Sequence, residues 1–249
     1  MPSGKLRLSY KSAIISNRQM KDFISKNKVF IIVVAVTVIL ILGGVFLFSG
    51  KNTSNVSTGK VNSSLLVPQG AIETSGIVNG NYLPASPSAT STLVEFGDYE
   101  CPACGEYNPI VKQTLTDFAG KIVYVFRNYP LPQHANAQIS SDAVEAAGLQ
   151  GKYWQMHDKV YDTQNNWANL GDPTSVFVGY AKDLGLNVDQ FTKDMSSSIV
   201  KNKVQNDTND GNTIGITETP TFYLNGQKMT LTGTYDQFKS LIDLVLAGK

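Results

Sequence analysis

Apolar positions fall into three regimes along the 249 residues of the chain. At 29–48 they run together without a charge, VFIIVVAVTVILILGGVFLF. As a helix rising 1.5 Å per residue, this run is about 30 Å long, the thickness of a bilayer's hydrocarbon core. A core helix would keep a polar stripe, and this one has none. The run therefore predicts a single transmembrane helix. From residue 49 to about 90 apolar positions thin out. SGKNTSNVSTGKVNSS is polar, small and aperiodic, which predicts a flexible linker. Residues 65–82 are weakly apolar and are expected to pack loosely on the C-terminal domain.

From residue 91 the pattern becomes periodic. TLVEFG at 92–97 is a buried strand by composition and length. A helix should follow from Pro102, with Ile110, Val111, Leu115 and Phe118 inward. Pro109 would kink it and Gly120 would stop it. KIVYVF at 121–126 is a second strand, and a crossover of this kind predicts parallel, right-handed pairing. A long helical stretch comes next: alanine-rich 135–149, then Tyr153, Trp154, His157, Val160 and Tyr161 at helical spacing, then 174–184 and 188–195. TPTFYL at 219–224, the turn Asn225-Gly226 and KMTL at 228–231 form a hairpin. A last helix starts at Thr234, with Thr234 and Gln237 as a capping box. Its stripe is Phe238, Leu241, Ile242, Val245 and Leu246. The sum is an α/β domain over 91–249, β-α-β then β-β-α, with a helical insertion at about 134–214.

Charge changes the picture at the N-terminus. Seven Lys and Arg precede residue 29, opposed only by Asp22. They hold residues 1–28 in the cytoplasm as a basic tail and place the domain outside the cell membrane. A cleaved signal peptide is the competing reading, but the polar region is 28 residues and the apolar run is too long. From residue 51 onward 14 Lys and Arg face 19 Asp and Glu, so that part is mildly acidic. This is a poor fit to nucleic acid, which calls for a basic face.

The two cysteines, Cys101 and Cys104, form a C-x-x-C after the first strand and at the start of a helix. They close too short a loop to serve as a staple. At a helix start the first sulfur lies over unpaired N–H groups that favour a thiolate. Cys101 is thus the attacking thiol, and the less exposed Cys104 resolves the mixed disulfide. Pro102 sits where its missing N–H costs nothing. Ala103 offers the thiolate no charge or side-chain donor. Glu95, on the feeding strand, is a candidate catalytic carboxylate relaying protons to Cys104; the alternative is a strand-end residue reaching solvent. Asp98 and Glu100 are expected to be solvated. Zinc would need four ligands, and the only other strong candidates, His134 and His157, lie at irregular gaps, so no metal is expected. His157 reads as a core residue and His134 as one that caps or orients a helix. Trp154 and Trp167 read as packing residues.

VEFGDYECPAC at 94–104, FRNYPL at 126–131, HANA at 134–137, GKYWQMHD at 151–158 and TPTF at 219–222 together resemble the DsbA-like thioredoxin family, in its membrane-anchored bacterial branch. The resemblance covers about residues 90–247. It implies a thioredoxin-like fold with a helical insertion and a cis bond at Thr219-Pro220 beside the cysteines. Thr219 and Pro220, with Pro102 and Ala103, would then bind the substrate strand. It implies a thiol:disulfide oxidoreductase, an oxidase of secreted or cell-surface proteins. Such an enzyme needs no cofactor beyond its redox-active disulfide and is reoxidised by a quinone-linked membrane partner. Reductases and isomerases share this site and stay open as alternatives. So does a non-catalytic binding or chaperone module, although an intact cysteine pair argues against it. Ala103 departs from the histidine of the best-known oxidase. No dimerisation segment lies between anchor and domain, so a monomer is expected.

Overall fold

The structure is a computed structural model that describes residues 60–248. The expected span at 29–48, the basic tail and the linker up to residue 59 lie outside these residues. Among the described residues no helix is long and apolar enough to cross a membrane.

Residues 60–90 correct the linker expectation, because they are built into the domain. Helix α1 (Ser63–Leu66) is followed by β1 (Glu73–Thr74), β2 (Ile77–Val78) and β3 (Asn81–Tyr82). Leu66, Thr74, Ser75 and Ile77 are all buried. Gly76 presses so close to the end of the next helix that a Cβ would come 2.5 Å from Leu115 O. Two-residue strands carry too little periodicity to be seen in sequence.

The sheet is completed by β4 (Ser91–Gly97), β5 (Ile122–Asn128), β6 (Thr221–Leu224) and β7 (Gln227–Lys228), in the order β1-β5-β4-β6-β7. Strands β4 and β5 run parallel, from Ser91 against Ile122 to Gly97 against Asn128. The connection between them is helix α2 (Pro102–Asp117), which crosses back over the sheet as a parallel pair requires. Strand β6 lies antiparallel on β4, pairing Glu95 with Phe222. Strand β1 lies antiparallel on the far side of β5. Asn225 and Gly226 both have positive φ, 49° and 83°, the tight turn that suits a twisted hairpin. Asn225 also accepts a hydrogen bond from Thr92 N–H at 2.8 Å, tying the turn to β4.

Alternation splits the sheet into two faces. Leu93, Tyr124, Phe126, Phe222 and Leu224 face the larger core, which α2 and the terminal helix α9 (Tyr235–Leu246) cover. Val94, Phe96, Val125 and Tyr223 face a smaller core with Leu66 and Ile216. Between β5 and β6 lie the helices of the insertion: α3 (Ala137–Gly148), α4 (Tyr153–Asp162), α5 (Gln164–Trp167), α6 (Thr174–Asp183), α7 (Val188–Met195) and α8 (Ser198–Thr213). Trp167 is fully buried among them, its indole N–H donating to Val160 O at 2.9 Å. Thr234 is the N-cap of α9 but makes no side-chain capping bond, so the capping box is not formed. Gln237 reaches past it instead, accepting from Thr232 and donating to Thr230 O.

Behind the sheet sits a buried cation. The Arg127 side chain is 0% exposed. Its Nε bonds Asp207 at 2.7 Å and its Nη2 bonds Asp210 at 2.6 Å. Its Nη1 donates to the carbonyls of Leu65 (2.6 Å) and Leu66 (2.9 Å), which is what holds α1 against the domain. A buried guanidinium needs its donors satisfied, and here four acceptors take four of its five N–H groups.

Candidate active site

Strand β4 ends at Gly97 and delivers a four-residue loop, Asp98 to Cys101, onto the start of α2. Cys101 is the N-cap, in an extended conformation, and Pro102 is the first helical residue. Both cysteines are free thiols. Cys101 is 7% exposed and Cys104 is 0% exposed. The cis bond at Thr219-Pro220 brings Thr219 against Cys101, whose S–H donates to Thr219 O at 3.4 Å. The Thr219 hydroxyl is buried and has no partner while Cys101 is a neutral thiol. Pro102 is exposed and Ala103 half-buried at the same edge. Beside Pro220, a cavity of about 300 Å³ is lined by Tyr107, Thr221, Met229 and Leu231.

The two thiols are driven in opposite directions. Cys101 is held well below the ordinary thiol range, at about 5. The largest cause is the hydrogen bond from Cys104; burial opposes it, and the Thr219 hydroxyl and the backbone N–H groups of Cys104 and Ala103 add to it. The helix start therefore contributes, but it ranks behind the partner thiol. Cys104 is pushed well up, first by burial, then by the same bond to Cys101 and by the charge of Glu95.

Glu95 lies under the cysteines on the larger-core face, 3% exposed. Its carboxyl accepts from Tyr124 O–H at 2.6 Å. Burial pushes it up to about 8, Tyr124 pulls the other way, and Cys101 adds to the rise. It does not reach solvent. Folding keeps Glu95 protonated from its unfolded value of 4.5 up to about 8. Its contribution to stability is thus full below the unfolded value and lost as pH rises through the folded one. At about 1.4 kcal/mol per unit, the loss by pH 7 is on the order of 3 kcal/mol. In the disulfide form, where Cys101 does not titrate, Glu95→Gln should reduce the fall in urea-unfolding stability between pH 5 and 8. An identical slope in the variant would mean that other buried groups drive it.

Asp98 is not solvated, whereas Glu100 is half-buried. Asp98 is fully buried and accepts from Glu100 N (2.8 Å) and Leu131 N (2.9 Å). His134 Nδ1 lies 2.6 Å from Asp98 Oδ2, so His134 pairs with the loop and does not cap a helix. The Asp98 N–H points at Cys104 Sγ, 3.5 Å away. Glu100 accepts from Asn136 N. His157 is a core residue, buried edge-on among Tyr99, Phe126 and Tyr161. Gln164 escapes sequence reasoning altogether. Its amide donates to Tyr99 O (2.7 Å) and Cys101 O (2.9 Å), and nothing in its short polar segment signals this. Among the described residues, no three His, Cys, Asp or Glu side chains converge to hold a metal ion.

The thioredoxin family model matches residues 81–244. The chain is 38% identical over 141 residues to Na(+)/H(+) antiporter NhaA 1 of Salinispora arenicola (strain CNS-205), covering 56% of this chain and 21% of that protein. It spans about a quarter of the length of the curated relatives it matches, so their antiporter name belongs to much longer proteins. Among solved structures it is similar to alpha-DsbA1 of Wolbachia pipientis, with a TM-score of 0.61 and 21% identity over 76% of this chain and 97% of that one. It is also similar to oxidised BdbD of Bacillus subtilis, with a TM-score of 0.60 and 20% identity over 76% and 97%. A cysteine pair capping α2, a cis proline beside it and a family match over most of the domain agree: the chain belongs to the thioredoxin family and has the fold of its DsbA-like members.

Proposed function

We propose that this protein is a thiol:disulfide oxidoreductase that passes the Cys101–Cys104 disulfide to cysteine-bearing secreted or cell-surface proteins. One observation carries the reading: Cys101 caps α2 against Thr219 of the cis Thr219-Pro220 bond, with the fully buried Cys104 one turn behind it. A client thiolate attacks Cys101 Sγ, a new S–S bond forms, and the Cys101–Cys104 bond breaks. Cys104 leaves as a thiolate and takes up a proton, with Glu95 as its buried donor. The client's second thiolate then attacks its own sulfur in the mixed disulfide. Cys101 leaves as a stabilised thiolate, which is a good leaving group. The client has lost two electrons and the pair has gained them. The client strand lies along Thr219 and Pro220, beside Pro102 and Ala103.

On this reading the chain is tethered by 29–48 with its catalytic domain outside the cytoplasm, where disulfides persist. It acts as a monomer, without nucleic acid, and a quinone-linked membrane protein returns it to the disulfide form. The test is the reduction potential of the full-length chain in glutathione buffers. A stabilised thiolate makes the disulfide oxidising, so a value nearer about −120 mV than about −270 mV is expected. A value at the lower end would make the protein a reductase that draws electrons from elsewhere.

A further inference from the structure

We infer that Gln164, from the helical insertion, is a positioning residue that sets how well the active-site loop stabilises the thiolate of Cys101. The inference rests on the proposed exchange chemistry and adds a second element to it. Gln164 is anchored before it reaches the loop. It opens α5, and its carbonyl accepts from Ala168 N at 2.9 Å. Trp167, on the same turn, is fully buried against Phe177. The preceding Thr163 bonds Lys159 O at 2.6 Å and the Tyr180 hydroxyl at 2.7 Å. A base anchored in this way fixes the point from which the side-chain amide reaches the loop.

The clamp closes on two carbonyls that flank the attacking cysteine. One is Tyr99 O and the other is Cys101 O, which also accepts the first helical bond from Gly105 N at 3.1 Å. Fixing the Cys101 carbonyl fixes its peptide plane. That plane decides where Sγ stands relative to the N–H groups of Ala103 and Cys104. Gly105 leaves the space through which the amide enters: a Cβ there would lie 2.8 Å from Gln164 Oε1. The insertion grips the same loop a second time, since Glu100 accepts from Asn136 N and Asn136 donates to Ala168 O and Leu170 O. The insertion is thereby wired to the reacting sulfur through main chain.

Two substitutions test this on the full-length chain in detergent, read by iodoacetamide alkylation of Cys101 against pH. Gln164→Ala removes the clamp. Gly105→Ala leaves Gln164 in the chain but displaces its amide, and its helix-favouring effect offsets part of the stability lost with the two hydrogen bonds. Each should raise the alkylation midpoint by on the order of one unit, which at 29.6 mV per tenfold makes the disulfide about 30 mV less oxidising. The double variant should shift no further than either single one. A midpoint unchanged in Gln164→Ala, even with a lower melting temperature, or shifts that add in the double variant, would overturn the inference. A wild-type midpoint in the ordinary thiol range would instead overturn the exchange reading itself.

Discussion

Replacing Cys104 with alanine should end turnover and leave Cys101 covalently joined to its clients. Without Cys104 no disulfide can form within the protein, so none is left to donate; in the reverse direction the Cys101 thiolate can still open a client disulfide, and no sulfur of the protein then attacks the bond it has made. The mixed disulfide should therefore accumulate as a reducible adduct on a non-reducing gel. The same substitution should also change Cys101, because the Cys104 S–H is the largest single cause of its acidity. A hydrogen bond to a charged group is worth about 1.5–3 kcal/mol, so the alkylation midpoint should rise by roughly one to two units. It should stay below the ordinary thiol range, since the Thr219 hydroxyl and two backbone N–H groups remain. Cys104→Ser separates the two effects. Its hydroxyl can still donate, so the midpoint should rise less, while turnover is lost as fully. Client turnover that survives in either variant would rule out the two-cysteine mechanism.

The largest effect on stability is expected away from the cysteines, at Arg127. Arg127→Met keeps most of the volume but leaves Asp207 facing no guanidinium in a site where it is 1% exposed. Breaking a buried pair from one side costs about 3–5 kcal/mol, because the remaining charge stays desolvated. Asp210 is 27% exposed and should suffer less. The carbonyls of Leu65 and Leu66 lose their donor as well. Urea unfolding should show the loss, and limited proteolysis should show earlier cleavage in residues 60–68. Adding Asp207→Asn should recover part of it, although Asn128 and Lys203 also bond that carboxylate. A loss below about 1 kcal/mol would place this network among surface ion pairs.

Arg127 and the cysteines differ in how far the sequence makes them legible. Strands β4 and β5, helix α2 and the Asn225-Gly226 turn are local signals, each read from a period or a dipeptide within a dozen residues. The cysteine pair and Thr219-Pro220 stand out as motifs. What stays hidden is polar burial across long separations. Asp98 looks like a loop acid until Leu131 and His134 arrive from beyond β5. Arg127 sits in an apolar strand where nothing nearby balances it, and its carboxylates come from α8. Gln164 is one amide in a polar turn, 63 residues from the carbonyl it holds. Residues 60–90 read as a linker because their strands are two residues long, and their anchor is that same distant arginine. In each case the decisive partner is far along the chain, and periodicity reports only on neighbours.

The unpartnered hydroxyl of Thr219 has a consequence for the direction of the chemistry. A thiolate at Cys101 offers that buried O–H a strong acceptor, whereas a sulfur locked in a disulfide offers a weak one. The desolvation of this single group is thus relieved when Cys101 ionises and left standing while its sulfur is a neutral thiol or part of a disulfide. A buried donor without a partner costs about 1–3 kcal/mol, and 30 mV corresponds to about 1.4 kcal/mol, so the asymmetry is worth some tens of millivolts. On the proposed reading, a threonine that never enters the covalent exchange thus favours the electron-rich form of the pair and helps the disulfide to leave.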